Sequence, residues 1–370
     1  MRIICKKSNL VKGVSIVSKA VPSKTTMPIL ECILIDATTD VIKLTANDME
    51  LGIETTIDGI IDSRGIIALN AKIFSEIVRK LPDNDVVIET ESDNQAIITC
   101  EKAKFNIAAQ SGDDFSYLPA IEREDFITIS EFTLKEVVRQ TIFSIADNDT
   151  NKMMTGELFE IDNDVLRVVS LDGHRISIRN IELKNNYENK KVVVPGKTLQ
   201  EISKIVPGGV DDDVLIYLTD NHIVFEFDTT TVVSRLIEGE YFRIDQMLSS
   251  AYETKVIVNK KELLDCIDRA TLLVKEGDKK PIIMNITDGS MELKINSFIG
   301  SMNEDIDIEK EGKDILIGFN PKFFIDALRV IDEENVSLYM VNPKAPCFIK
   351  DDEGKFIYLI LPVNFNNAAN

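Results

Sequence analysis

Asp172 and His174 stand two apart in SLDGHRISIR, and their types are the first in the chain to suggest chemistry. On a strand they point the same way, which suits acid–base work and equally a hydrogen-bonded pair. The chain holds only one other histidine, His222. No serine, cysteine or metal-ligand constellation accompanies the pair, so Asp172-Gly173 reads first as a turn between strands. A second candidate is GKT at Gly196–Thr198, which resembles the end of a phosphate-binding loop. That loop needs an earlier glycine where this chain has Lys191. GKT therefore reads as a helix start. The cysteines (Cys5, Cys32, Cys100, Cys266, Cys347) are scattered and form no CxxC pair, so neither a disulfide framework nor a zinc site is suggested. No metal or other cofactor is expected.

The stronger signal is basic. PGKTLQEISKIV (Pro195–Val206) occurs three times in physical outline, the other copies being NAKIFSEIVRKL (Asn70–Leu81) and NPKFFIDALRVI (Asn320–Ile331). Aligned on Lys72, Lys197 and Lys322, they lie 125 residues apart, twice. Two residues on stand Phe74, Leu199 and Phe324; five on, Ile77, Ile202 and Ala327; nine on, Leu81, Val206 and Ile331. At about 100° per residue these form one apolar stripe. The aligned lysine and the residue seven on (Arg79, Lys204, Arg329) lie opposite it. An acid on the same face (Glu76, Glu201, Asp326) also fits an ordinary solvated helix, but three copies in register favour a shared basic face. Val14, Val17, Val21 and Lys19 repeat the pattern from Lys12, so each repeat reads as itself doubled.

At 370 residues the chain suggests two or three domains, and the repeat favours three: 1–125, 126–253 and 254–370. Hydrophobic content of 44% and charged content of 28% fit a soluble globular protein. No run approaches a membrane span, and MRIICKKSNL lacks a signal-peptide core, so a cytoplasmic location is expected. Formal charge of −20 argues against nucleic acid unless positive charge is segregated on one surface.

The elements repeat as well. Ser8 reads as an N-cap for a helix ended by Pro22. Alternating strands follow, with ELFEID, VLRVVSLD and RISIRNIEL in the middle third. Further helices are expected near Thr133–Ile145 and Lys260–Val274, and NFNNAAN reads as a frayed tail. The class is α+β, with antiparallel sheets packed on helices by one face.

SLDGHRISIR, VVVPGKTLQEISKI and the terminal YLILPV, with TTMPILECILI and LFEIDNDVLRVVSLDGHR, together resemble the bacterial sliding-clamp family, the beta subunit of DNA polymerase III. The resemblance runs the whole length in order. It implies a DNA-clamp fold of three similar domains, each with two helices, and a head-to-tail dimeric ring lined by twelve helices. It implies a role without catalysis: encircling duplex DNA without regard to sequence and tethering polymerase. A helix is about 10 Å across, so twelve abreast enclose a hole on the order of 30 Å or more. Lys12, Lys19, Lys24, Lys72, Arg79, Lys80, Lys197, Lys204, Lys322 and Arg329 would face DNA.

By the same resemblance, Leu171, Gly173, His174, Arg175, Ile176, Phe242, Gln246, Met247, Leu359, Leu361, Pro362 and Val363 would line a groove for short partner peptides, with Arg175 and His174 setting orientation. The partners implied are the polymerase III alpha subunit, the clamp loader, other polymerases and repair proteins, and no membrane. The pattern departs from the family at Leu171 (usually Thr), Phe242 (usually Pro), Gln246 (often Arg) and Asn364 (commonly Arg). Without the resemblance the apolar groove residues read as core. The dimer contact would join Phe105 and Ile107 to Leu272 and Leu273, with Glu304 and Asp305 pairing with Lys72 or Lys104. Two rival readings are a three-domain enzyme built on Asp172 and His174 and a scaffold that binds only proteins.

Overall fold

The computed structural model describes all residues except 93–94, 122, 124, 148–149, 249–250, 275–279 and 366–370. Residues 249–250, just ahead of the expected boundary at 253, and most of the expected frayed tail fall outside the described residues.

Six α-helices are described: α1 (Lys7–Val17), α2 (Ala71–Lys80), α3 (Glu131–Thr141), α4 (Gly196–Ile205), α5 (Lys260–Thr271) and α6 (Pro321–Val330). The three repeat helices α2, α4 and α6 begin one residue after the expected start. Asn70 caps α2 by accepting from the Ile73 amide at 3.2 Å, and Asn320 caps α6 through the Lys322 amide at 3.1 Å, with Pro321 at the first helical position. In the middle copy Pro195 stands at the position of these asparagines, and Gly196 opens the helix where a Cβ would meet the Thr155 carbonyl at 2.8 Å. The apolar stripes are buried: Phe74, Leu199, Phe324 and Ile202 are fully covered, each contributing about 1.5–3 kcal/mol. Ile77 is the exception at half burial, and Val78 takes its place in the core.

Several helix ends differ from expectation. Lys6, without a side-chain cap, precedes α1, and Ser8 lies inside it. The helix tightens into a 3₁₀ turn at Ser18–Ala20, well before Pro22, so Lys19 rides on that turn and Val21 falls beyond it. Likewise α3 gives way to a 3₁₀ turn at Ile142–Ser144, and α5 stops at Thr271, leaving Leu272 as its cap residue.

The strands pair antiparallel throughout the described sheets. ELFEID and VLRVVSLD are one strand, Gly156–Leu171, and its partner runs on from Arg175 to Pro195. Asp162-Asn163-Asp164 looks like a turn but is a bulge: the register shifts on both sides of Asn163, whose φ is 54°.

The chain forms two compact units. Unit 1 (Met1–Lys135 with Lys197–Leu236) carries a 13-stranded sheet, and α1 and α2 pack together within it. Unit 2 (Glu136–Gly196 with Ile237–Asn370) carries a seven-stranded and a four-stranded sheet. Its core gathers Leu263, Ile267, Phe319, Phe324 and Leu338 between α5, α6 and the sheets. The middle third contributes to both units because its strands pair in both directions. Thr230–Ser234 bonds to Leu51–Thr55, and Arg175–Arg179 bonds to Phe356–Ile360.

Candidate functional site

The Leu171–Arg175 turn is built by Asp172. Its Oδ1 accepts from the amides of His174 (2.9 Å) and Arg175 (3.1 Å), and its Oδ2 accepts from Arg175 Nε (3.0 Å). Gly173 supplies the left-handed residue, φ 86°, that closes it. The Asp172 carboxylate is thus spent on the turn and on Arg175. The His174 ring instead stacks on Phe323 of α6, with centroids 6.1 Å apart and planes 20° apart. No acid–base dyad forms. All five thiols are buried, and burial pushes Cys5 and Cys266 up to about 12, far from the thiolate a nucleophile requires. Among the described residues no group of three or more metal-ligating side chains converges. In GKT, Thr198 is buried against Ser234 (2.7 Å) and Lys197 pairs with Asp48, so no phosphate cradle remains.

Arg175 is a buried tie, only 7% exposed. Nη1 donates to Asp326 of α6 at 2.7 Å, and Nη2 donates to the Phe143 carbonyl. The guanidinium also lies 4.6 Å from the Phe323 ring centre and 5.4 Å from that of Phe143. Three acceptors and two aromatic faces occupy it, an arrangement a lysine could not satisfy. Three of the five N–H donors of Arg175 are committed to these ties, so in this structure it holds the wall.

Behind this wall Leu171, Ile176 and Leu359 are buried in one apolar cluster with Leu158, Ile178 and Ile244. Phe242 packs against its edge, T-stacked with Tyr241 (centroids 5.6 Å apart). The Leu361 amide donates to the His174 carbonyl at 2.9 Å and so brings the C-terminal segment to the turn. Met247 (51% exposed) and Leu361 (38%) are apolar and open to solvent, while Gln246, Gly173 and His174 supply exposed polar surface. A buried apolar floor with two exposed apolar side chains and a polar rim is the composition of a peptide groove. Pro362 is half-buried. Val363 turns away: its amide bonds to the Gly318 carbonyl (2.8 Å), and it lines a separate cleft of ≈ 460 Å³ with Lys313, Leu316 and Pro343.

Sequence reasoning missed Phe143, Phe323, Asp326 and Tyr241. Only Asp326 carried a signal, as the acid on the shared helix face. Glu157 was also unforeseen. It is fully buried, neither oxygen accepts a hydrogen bond among the described residues, and burial pushes its carboxyl up to about 8.

On the repeat helices Lys72, Arg79, Lys80, Lys197, Lys204, Lys322 and Arg329 are all exposed, opposite the buried stripes. Acids temper them: Lys197 pairs with Asp48, Lys204 with Glu201 (2.8 Å), Arg329 with Asp268 (3.4 Å) and Lys12 with Asp228 (3.9 Å). Arg79 Nε donates to the Ser75 carbonyl at 3.2 Å. Among the described residues Lys19, Lys24, Lys72, Lys80 and Lys322 form no ion pair; Lys24 lies in a loop. Such a face attracts phosphate weakly and diffusely.

Phe105 is 38% exposed, Ile107 half-buried and Leu272 79% exposed, whereas Leu273 packs against the unit 2 core. Of the two acids expected to meet Lys72 or Lys104, Glu304 is bound within its own chain by Arg269, with Nε–Oε2 at 3.0 Å.

Three family models match the chain in order: the DNA polymerase III beta subunit N-terminal domain over residues 1–119, its central domain over 128–242 and its C-terminal domain over 245–364. A beta sliding clamp from Staphylococcus aureus (strain N315) is 32% identical over 374 residues, covering 98% of this chain and 99% of that protein. Among solved structures, a putative DNA polymerase III beta subunit from Eubacterium rectale ATCC 33656 is 79% identical with a TM-score of 0.96, covering 99% of this chain and 100% of that one. The DNA polymerase sliding clamp from Bacillus subtilis is 33% identical with the same TM-score and coverage.

Proposed function

Since this chain belongs to the DNA polymerase III beta subunit family, we propose that it is a DNA sliding clamp that encircles duplex DNA and tethers the replicative polymerase, with no catalysis of its own. The observation that carries this reading is the match of all three clamp domains, in order, along the whole chain. We divide the domains near residues 125 and 253. Two copies close head to tail, and the helices with exposed basic faces line the hole. The tempered basic face supports this reading, because contacts to phosphate carry no sequence information and a loosely held duplex can slide.

The partner site is the groove at Leu171, His174, Ile176, Met247, Leu359 and Leu361. It receives short peptides from the polymerase alpha subunit, the clamp loader and repair proteins. Anchoring rests on a few apolar side chains, as in other peptide grooves. The work is done in the cytoplasm at the nucleoid; among the described residues no helix is long and apolar enough to cross a membrane.

Loading by a clamp loader onto nicked circular DNA, followed by gel filtration, tests the proposal. Protein that coelutes with the circle and is released when a restriction enzyme linearises it supports encirclement. Equal retention on both forms refutes it.

A further inference from the structure

The Ser297–Gly300 turn of unit 2 presents Phe298 with 97% of its surface in water, beside Ile299 at 55%. The turn is well held. Ser297 donates its amide (2.9 Å) and hydroxyl (3.3 Å) to the Gly300 carbonyl, and its hydroxyl accepts from the Ile299 amide (3.1 Å). Gly300 sits over Leu273. The Lys280 ammonium lies 5.3 Å from the Phe298 ring centre. An ordered, uncovered phenylalanine is costly to keep in water and marks a contact surface. It leads directly into Ser301–Asp307, an edge strand that among the described residues pairs on one side only.

Unit 1 presents a complementary feature. The Ala103–Ser111 strand pairs through residues 103–108 with Gln95–Cys100 on one side. On its other side Ile66–Asn70 pairs only with Ala109–Ser111, so the outer half of that edge is open. Beside the open edge lies a mainly apolar cavity of ≈ 300 Å³, lined by Cys32, Ala68, Ile73, Ile107, Ala109 and Gln110. Ile73 is half exposed at its mouth. An apolar cavity of about 150 Å³ already accepts a benzene ring. The charges also match: besides Glu304, which Arg269 holds, the edge strand of unit 2 carries Asp305 and Asp307, and the sequence of unit 1 places Lys102 and Lys104 on or next to its open edge strand and Lys72 next to Ile73.

We propose that Phe298 of one copy seats in the Ile73–Ile107 cavity of a second copy, as an anchor of the head-to-tail dimer beyond the strand edges. Antiparallel addition of Ser301–Asp307 to residues 103–108 carries the preceding turn toward Ala109 and Gln110, where the cavity lies. Each copy offers one knob and one cavity, so the contact is heterologous and is made twice in a closed pair. This inference rests on the dimer proposed above.

The test is sedimentation of the full chain over a dilution series. The parent dimerises, Phe298→Ala and Ile73→Ala each raise the dissociation constant tenfold or more, and the double variant is little worse than either single one. Phe298→Leu recovers part of the loss. Both positions are exposed, and an unchanged melting temperature of the variants under monomeric conditions confirms intact folding. A dimeric parent whose Phe298→Ala variant dissociates like the parent overturns the knob and leaves the dimer standing, as do fully additive effects. A parent that is monomeric at micromolar concentration overturns both.

Discussion

The chain joins its repeats twice with the same backbone device and gives the two joints different side chains. Leu51–Thr55 pairs with Thr230–Ser234 in unit 1, and Arg175–Arg179 pairs with Phe356–Ile360 in unit 2. Each joint is a five-residue antiparallel ladder. In unit 1 it is closed by small hydroxyls: Thr55 meets Thr230 at 2.9 Å, and beside it a cleft of ≈ 320 Å³ is lined by Lys12, Thr56, Asp228 and Thr229. In unit 2 the ladder begins at Arg175, whose ties reach a turn, a helix and a carbonyl, and an apolar floor lies beneath. Backbone pairing is enough to continue a sheet across repeats. A docking groove requires the buried tie and the apolar floor as well.

The largest expected effect comes from cutting the tie. Arg175→Ala leaves Asp172 and Asp326 partly buried without their cation, and denaturant unfolding should show a loss of about 3–5 kcal/mol. Arg175→Lys should recover little of it, because an ammonium cannot reproduce the planar fork. A loss under about 1 kcal/mol would mean that the two joints are energetically alike.

Glu157 should produce the next largest change. Its folded carboxyl titrates at about 8, against about 4.5 when unfolded, so the folded state holds a proton that the unfolded chain releases between those values. Its contribution is therefore fully present below about pH 4.5 and is lost as pH rises through about 8. Glu157→Gln should remove a decline of a few kcal/mol across that window, seen as a flatter melting temperature against pH. An unchanged pH profile would show that Glu157 finds a partner or solvent in solution.

The basic faces should give a smaller effect, on DNA alone. Arg79→Ala, Lys204→Ala and Arg329→Ala together should lower the salt slope of DNA association by about 1 for each phosphate left without its cation, while the dimer mass stays intact. Two of these residues already share their charge with acids, so the total should stay below the maximum of about 3. Smallest of all is the unit 1 joint: Thr55→Val should cost about 1 kcal/mol, the value of one buried hydroxyl pair, and should leave peptide binding untouched.

Much of this was legible in the sequence where the information is local. The stripe Phe74–Leu81 and its copies fixed three helices to within a residue, because period and caps lie within one short segment. Asp172-Gly173 announced its turn for the same reason. The Arg175 tie was not legible, since Asp326 lies 151 residues away and Phe143 contributes a carbonyl that any residue has. The long Gly156–Pro195 hairpin was hidden because a bulge at Asn163 uses the residue types of a turn. The Ser301–Asp307 strand was missed because its acidic composition lacks the β-branched alternation that marks a strand.

The contrast between the joints is tested most directly by calorimetric titration of a peptide from the polymerase alpha subunit into the full chain. Met247→Ala with Leu361→Ala, both at exposed positions of the unit 2 joint, should weaken binding roughly tenfold or more, given about 1–3 kcal/mol per anchor. Dimer mass and melting temperature should hold. Equal affinity of the double variant and the parent would contradict the assignment of partner docking to this joint.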